Sequence, residues 1–160
     1  MVSQDEFIDG QIDGVVVREA IQFDDDRGWL IELFRHDELP QDVWPAMAYV
    51  SETLPGVARG PHAHHDQTDF FAFVGPGDYA IYLWDARDDS PTFGVRQKLI
   101  VGESNRLLLV VPPGVVHAYK NVGTQRAWLI NAPERRLRRG QVLCSVFRKR
   151  KSRRRARPCA

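Results

Sequence analysis

Residues 69–84 read DFFAFVGPGDYAIYLW, two runs of aromatic and branched side chains parted by Gly75-Pro76-Gly77. Such side chains suit a pleated sheet, and Gly-Pro-Gly turns the chain, so the stretch predicts strands over Asp69–Val74 and Asp78–Trp84. The pattern continues on both sides. VVVREAIQF and WLIELF, joined by the turn-forming DDDRG, alternate apolar and polar residues between Gly14 and Phe34. Further short strands are expected at Ala48–Ser51, Val95–Val101, Arg106–Val111, His117–Asn121 and Arg126–Asn131. A helical period is confined to His36–Val43. About nine short strands at this spacing predict an all-β fold, an antiparallel sandwich or barrel.

The 160 residues suffice for one domain with a substantial core. Cys144 and Cys159, both near the end, are too few for a disulfide framework, so a reducing cytoplasm is expected. Met1–Gly14 is polar and acidic, unlike a signal peptide, and no window has the length and apolarity of a membrane span. Charge is divided unevenly. All 21 Asp and Glu residues lie at or before Glu134, while 11 of the 22 Lys and Arg residues lie between Arg136 and Arg157. This predicts a folded domain over residues 1–135 and a basic, disordered tail over 136–160. Nucleic acid is a possible partner only through that tail, since clustered guanidinium groups neutralise phosphates.

The chemistry-bearing residues gather in two distant segments, GVARGPHAHHDQTD at 56–69 and PPGVVHAYKN at 112–121, which hold four of the five histidines. Strand alternation sends His62 and His64 to one side with Ala63 opposite, and His117 arrives from another strand. Asp69 adds a carboxylate. Two chemistries fit this set: a divalent transition metal on His62, His64, Asp69 and His117, or metal-free catalysis with one imidazole as general base. The aromatics Phe70, Phe71, Phe73, Tyr79, Tyr82 and Trp84 read mainly as core.

The spacing His62-x-His64-x4-Asp69 followed by PPGVVHAYKN resembles the two motifs of the cupin superfamily, with Asp69 where Glu is more frequent. FDDDRGWLIELF, GVARGPH, DARDDSPTFG and PPGVVHAY, in that order over residues 15–133, resemble the dTDP-4-dehydrorhamnose 3,5-epimerases. The resemblance implies a single-domain cupin-type antiparallel β-barrel or jelly roll, a homodimer in the cytoplasm. It also implies a dTDP-4-keto-6-deoxy sugar as substrate and no metal cofactor. In such enzymes the ketone acidifies the flanking C–H bonds, and a base and an acid on opposite faces invert the carbon. His62 then corresponds to the base, and Arg27, Glu32, Arg59 and His117 correspond to residues that hold the sugar nucleotide. Arg27 and Arg59 are permanent planar cations suited to diphosphate. Where the family carries a lysine this chain has Asp69, and its proton-donating tyrosine aligns near Ile130. Tyr119 heads the replacements, with Tyr82 and Tyr49 as the others.

RGPHAH also resembles the RGxHAH pattern of dTDP-sugar 3,4-ketoisomerases, in which paired histidines shuttle protons. That resemblance implies an active set of Tyr49, Arg59, His62 and His64. A non-catalytic sugar-nucleotide binder is the remaining alternative.

Overall fold

A computed structural model describes residues 8–136 of the chain. The basic tail therefore lies almost wholly outside the described residues, as do both cysteines.

Twelve strands are present among the described residues: β1 (Ile8–Asp9), β2 (Val16–Glu19), β3 (Gln22–Asp25), β4 (Gly28–Ile31), β5 (Tyr49–Thr53), β6 (Ala58–His62), β7 (Asp69–Phe73), β8 (Asp78–Asp85), β9 (Val95–Gly102), β10 (Leu107–Val111), β11 (Val115–Asn121) and β12 (Ala127–Asn131). They form two five-stranded sheets, β1-β9-β8-β11-β6 and β2-β10-β7-β12-β5, with β3 and β4 as a separate hairpin. Leaving aside the outer additions β1 and β2, the eight strands β5–β12 pass from sheet to sheet at every connection except the β8–β9 hairpin, the order of a jelly roll. The all-β expectation holds. The sheets stand face to face, and the ladders do not join into one continuous barrel.

Alternation explains the core. Tyr79, Ile81 and Leu83 of β8, with Val115 and Tyr119 of β11, point inward from one sheet and meet Phe71 and Phe73 of β7, Leu109 of β10 and Leu129 of β12 from the other. Strand β7 is buried along its whole length, because its outer residues Phe70 and Ala72 are covered by Ile31, Leu33 and Phe34. A buried carboxylate stabilises the loop after β8. Burial pushes the pKa of Asp85 up, but donors from Arg87, Ser90 and Thr92 outweigh it and hold the carboxyl well below the usual range. DARDDSPTFG is thus a knot around Asp85.

Four local expectations are revised. VVVREAIQF divides into β2 and β3 at Ala20-Ile21, where the chain leaves one sheet for the hairpin. Only a single 3-10 turn, Gln41–Val43, forms within the segment expected to be helical, since Pro40 and Pro45 bracket it and interrupt backbone donation. Strand β1 runs parallel to β9, the one departure from antiparallel pairing. Finally, the strand expected to carry both His62 and His64 ends at His62; it is β6, an edge strand, where the missing N–H of Pro61 is tolerated.

Candidate active site

Strands β6 and β11 pair so that His62 stands directly opposite His117. The match depends on Gly60, whose φ of +95° suits glycine and whose hydrogen lies where a Cβ would be 2.9 Å from the His117 carbonyl oxygen. His64 lies just beyond the end of β6 and turns back to the same point. The rings of His62 and His64 have centroids 5.9 and 5.8 Å from that of His117. The β6–β11 ladder and the turn of the chain after His62 therefore bring all three imidazoles together.

Asp69 enters from the opposite sheet, at the start of β7. Its Oδ2 lies 3.2 Å from His64 Nε2 and 3.7 Å from His117 Nε2. Its Oδ1 accepts hydrogen bonds from Gln67 Nε2 at 3.0 Å and Asn131 Nδ2 at 2.9 Å. The carboxylate is thus buried but engaged on both oxygens. Burial acts to raise its pKa; the bond from His64, the neighbouring His117 and the Asn131 amide outweigh that and hold it below the usual carboxylate range.

These surroundings separate the histidines electrostatically. The bond to Asp69 raises the pKa of His64, against the opposing effect of burial. Burial lowers that of His62, and the charge of His64 lowers it further. His117, buried deepest, is pulled down to about 4 by desolvation. The surroundings thus push His62 toward its neutral form and His64, paired with Asp69, toward its cation. The Nδ1 of His62 is buried without a hydrogen-bond partner among the described residues.

Three groups could also hold a cation: one ligand atom each from His64, Asp69 and His117 lie within 4.8 Å of one another. His62 does not belong to that group, so the four-ligand set expected from spacing reduces to three.

Arg59 stands at the rim. Its Nε donates to Thr53 Oγ1 at 2.9 Å and its Nη2 to the Glu52 carbonyl at 2.6 Å, fixing an exposed guanidinium beside the histidines. Arg27 and Glu32 are placed elsewhere. The β3–β4 hairpin shares no ladder with either large sheet; at its tip the Arg27 side chain is 84% exposed and paired with Asp25 at 2.5 Å, and Glu32 follows it, exposed. In the single chain neither reaches the histidine cluster.

The tyrosines sort clearly. Tyr119 is packed edge-on against Phe71, Phe73 and Tyr79, and its pKa is pushed up to about 12 by burial, so it belongs to the core rather than to an open cleft. Tyr82 faces the outer side of its sheet beneath Lys98, in a broad groove of about 960 Å³ that includes Trp84 and Arg96 and no histidine. Tyr49 remains: half-buried at the start of β5, it accepts a hydrogen bond from Asn131 Nδ2 at 3.0 Å. Asn131 and Gln67 were not anticipated from sequence. The signal for Asn131 was available, since it occupies the inward phase of AWLIN after Ala127 and Leu129, where an amide must find partners. Ile130, beside it, turns to the opposite face.

The chain is similar to known proteins in sequence and in fold. The family model described as dTDP-4-dehydrorhamnose 3,5-epimerase matches residues 9–132. A Haloferax volcanii protein named as a probable low-salt glycan biosynthesis epimerase, Agl13, is 37% identical over 123 residues, covering 76% of this chain and 78% of the relative. The Bacillus subtilis spore coat polysaccharide biosynthesis protein SpsL is 38% identical over 112 residues, covering 70% and 73%. Among solved structures, a dTDP sugar isomerase from Desulfovibrio desulfuricans G20 superposes with a TM-score of 0.74 at 29% identity, covering 81% of this chain and 82% of the other. A dTDP-4-dehydrorhamnose 3,5-epimerase from Sulfolobus tokodaii gives 0.66 at 26%, covering 76% and 70%. By its motifs, its jelly roll and these matches, the chain belongs to the dTDP-4-dehydrorhamnose 3,5-epimerase family, a family of isomerases.

Proposed function

We propose that this protein epimerises a dTDP-4-keto-6-deoxy sugar next to its ketone, with His62 as the base. The observation that carries the reading is the split between neighbouring imidazoles: His62 is kept neutral while His64 is held toward its cation by Asp69. A neutral imidazole can take the proton that the ketone has acidified, and the electron pair moves to the carbonyl oxygen as an enolate. Asp69 in place of a lysine does not leave the enolate facing a bare anion, because the His64 imidazolium balances the carboxylate. Arg59, pinned at the rim, is placed to hold a diphosphate.

Metal-free chemistry is the reading in line with the family resemblance, and the amides of Gln67 and Asn131 on Asp69 Oδ1 are compatible with it. Were a divalent cation to bind, His64, Asp69 and His117 would hold it, and it would polarise a carbonyl as a Lewis acid. A homodimer acting in the cytoplasm completes the proposal, in line with the family resemblance. The pairing of His62 with His64 also suits ketoisomerisation, which would move the carbonyl to C3.

The test is incubation with dTDP-4-keto-6-deoxyglucose in D2O, followed by NMR of the sugar. Deuterium at C3 or C5 with inversion there is the expected result. Deuterium at C4 with the carbonyl relocated to C3 would establish the ketoisomerase instead, and the absence of any exchange would reject both.

A further inference from the structure

Inversion requires the proton to return on the face opposite the one it left, and by the family resemblance the proton-donating tyrosine aligns near Ile130, which cannot donate. We infer that Tyr49, held by Asn131, is the proton donor of this enzyme. The inference rests on the epimerase reading and adds the acid that it lacks.

Strand topology carries the argument. Strands β5 and β6 are the terminal strands of the two facing sheets, joined by the short turn at 54–57, in which the Val57 N–H donates to the Leu54 carbonyl at 3.1 Å. Arg59 bridges them by donating to Thr53 and to the Glu52 carbonyl. Moving away from that bridge, Tyr49 lies four residues before Thr53 and His62 three residues after Arg59, so the two stand at nearly the same height. One comes from each sheet. A sugar ring entering between the strands would therefore have His62 on one face and Tyr49 on the other, the disposition that inversion demands.

The phenol is also positioned. Asn131 is the direct register partner of Tyr49, and its amide nitrogen donates both to the Tyr49 hydroxyl, at 3.0 Å, and to Asp69, at 2.9 Å. Since the hydroxyl accepts from Asn131, its own hydrogen is left to point elsewhere. The Oδ1 of Asn131 is buried and without a partner among the described residues. Tyr49 is half-buried, accessible to a ligand, whereas Tyr119 is enclosed by rings and Tyr82 faces the other side of its sheet.

The balanced step is short. His62 accepts the proton from the carbon beside the ketone, the enolate forms, and Tyr49 O–H delivers its proton to the same carbon from the opposite side. The resulting imidazolium and phenolate return to their starting states by exchange with water. No oxidant or reductant is required.

Tyr49→Phe keeps the ring and removes the acid. With dTDP-4-keto-6-deoxyglucose in D2O, the variant should still exchange substrate hydrogen, because His62 can return deuterium to the face it deprotonated, while inverted product falls by about 100-fold or more. Asn131→Ser, which releases the phenol without removing it and also takes one donor from Asp69, should lower inversion more than it lowers exchange, giving a second reading if Tyr49→Phe is unstable. Inversion at the normal rate in Tyr49→Phe would overturn the assignment, as would loss of exchange and inversion together in a variant with an unchanged melting temperature. The base reading fails separately, by an absence of exchange in the unaltered protein.

Discussion

Replacing His62 with Asn is expected to reduce both hydrogen exchange and epimerisation by about 1,000-fold while leaving the melting temperature close to that of the unaltered protein. The kinetic effect is large because the proton on carbon has no other acceptor in the proposed geometry. His64 is held toward its cationic form by Asp69, and His117 is buried at 4% exposure. The structural effect is small because His62 is only half-buried and its Nδ1 makes no hydrogen bond among the described residues. Retained exchange in His62→Asn, measured by NMR in D2O, would move the base elsewhere in the cluster.

Asp69 should behave differently, because it supports both the fold and the chemistry. Asp69→Ala removes a carboxylate with 2% exposure and strands the donors of Gln67, Asn131 and His64. Leaving such groups buried and unpaired costs about 3 kcal/mol, roughly 10 °C in melting temperature for a domain of this size. Asp69→Asn preserves shape, so it should melt higher than Asp69→Ala, yet it loses the charge that keeps His64 protonated and with it most of the activity. The pH dependence has a definite sign. Asp69 has a folded pKa below its ordinary 3.8, so its contribution is present above that value and is lost as pH falls through the lower folded value. His64 has a folded pKa above its ordinary 6.5, so its contribution is complete below 6.5 and is lost as pH rises through the higher folded value. The gap in melting temperature between the unaltered protein and Asp69→Ala should therefore be widest between about pH 4 and 6.5 and narrow on either side. A gap that does not change across that range would contradict the ion pair.

Much of this was legible in the residues. Period-two alternation in DFFAF, DYAIYLWD and AWLIN fixed which side chains face the core, and the jelly roll follows from many such strands parted by turns. The convergence of His62, His64, Asp69 and His117 was legible in their grouping into two segments, although the turn of the chain after His62, and not strand alternation, returns His64. What escaped depends on contacts remote in sequence. ARGPH has poor strand propensity and becomes β6 only because β11 offers a ladder and Gly60 lets the two backbones approach. Asn131 and Gln67 matter through the single carboxylate they share, which no local pattern announces. Arg27 and Glu32 carry the family motif, but their hairpin projects from the single chain, so motif position alone did not place them in the cluster.

In the proposed site, Asp69 and His64 form an ion pair where the family resemblance leads one to expect a lysine. A lysine would supply one positive charge directly. Here a carboxylate and a histidine supply a neutral pair, with the imidazolium turned toward the cluster and the carboxylate bound from behind by two amides. Burial first, and then the neighbouring His64 charge, lower the pKa of His62, which is the direction the proposed base requires.

The central claim, that the environment divides adjacent imidazoles into a base and a cation, is read most directly by titrating the histidine ring signals by NMR, with His62→Asn and His64→Asn used for assignment. The account predicts that His62 titrates below 6.5, His64 above it and His117 lowest of the three, near 4. A His62 that remains protonated to higher pH than His64 would contradict it.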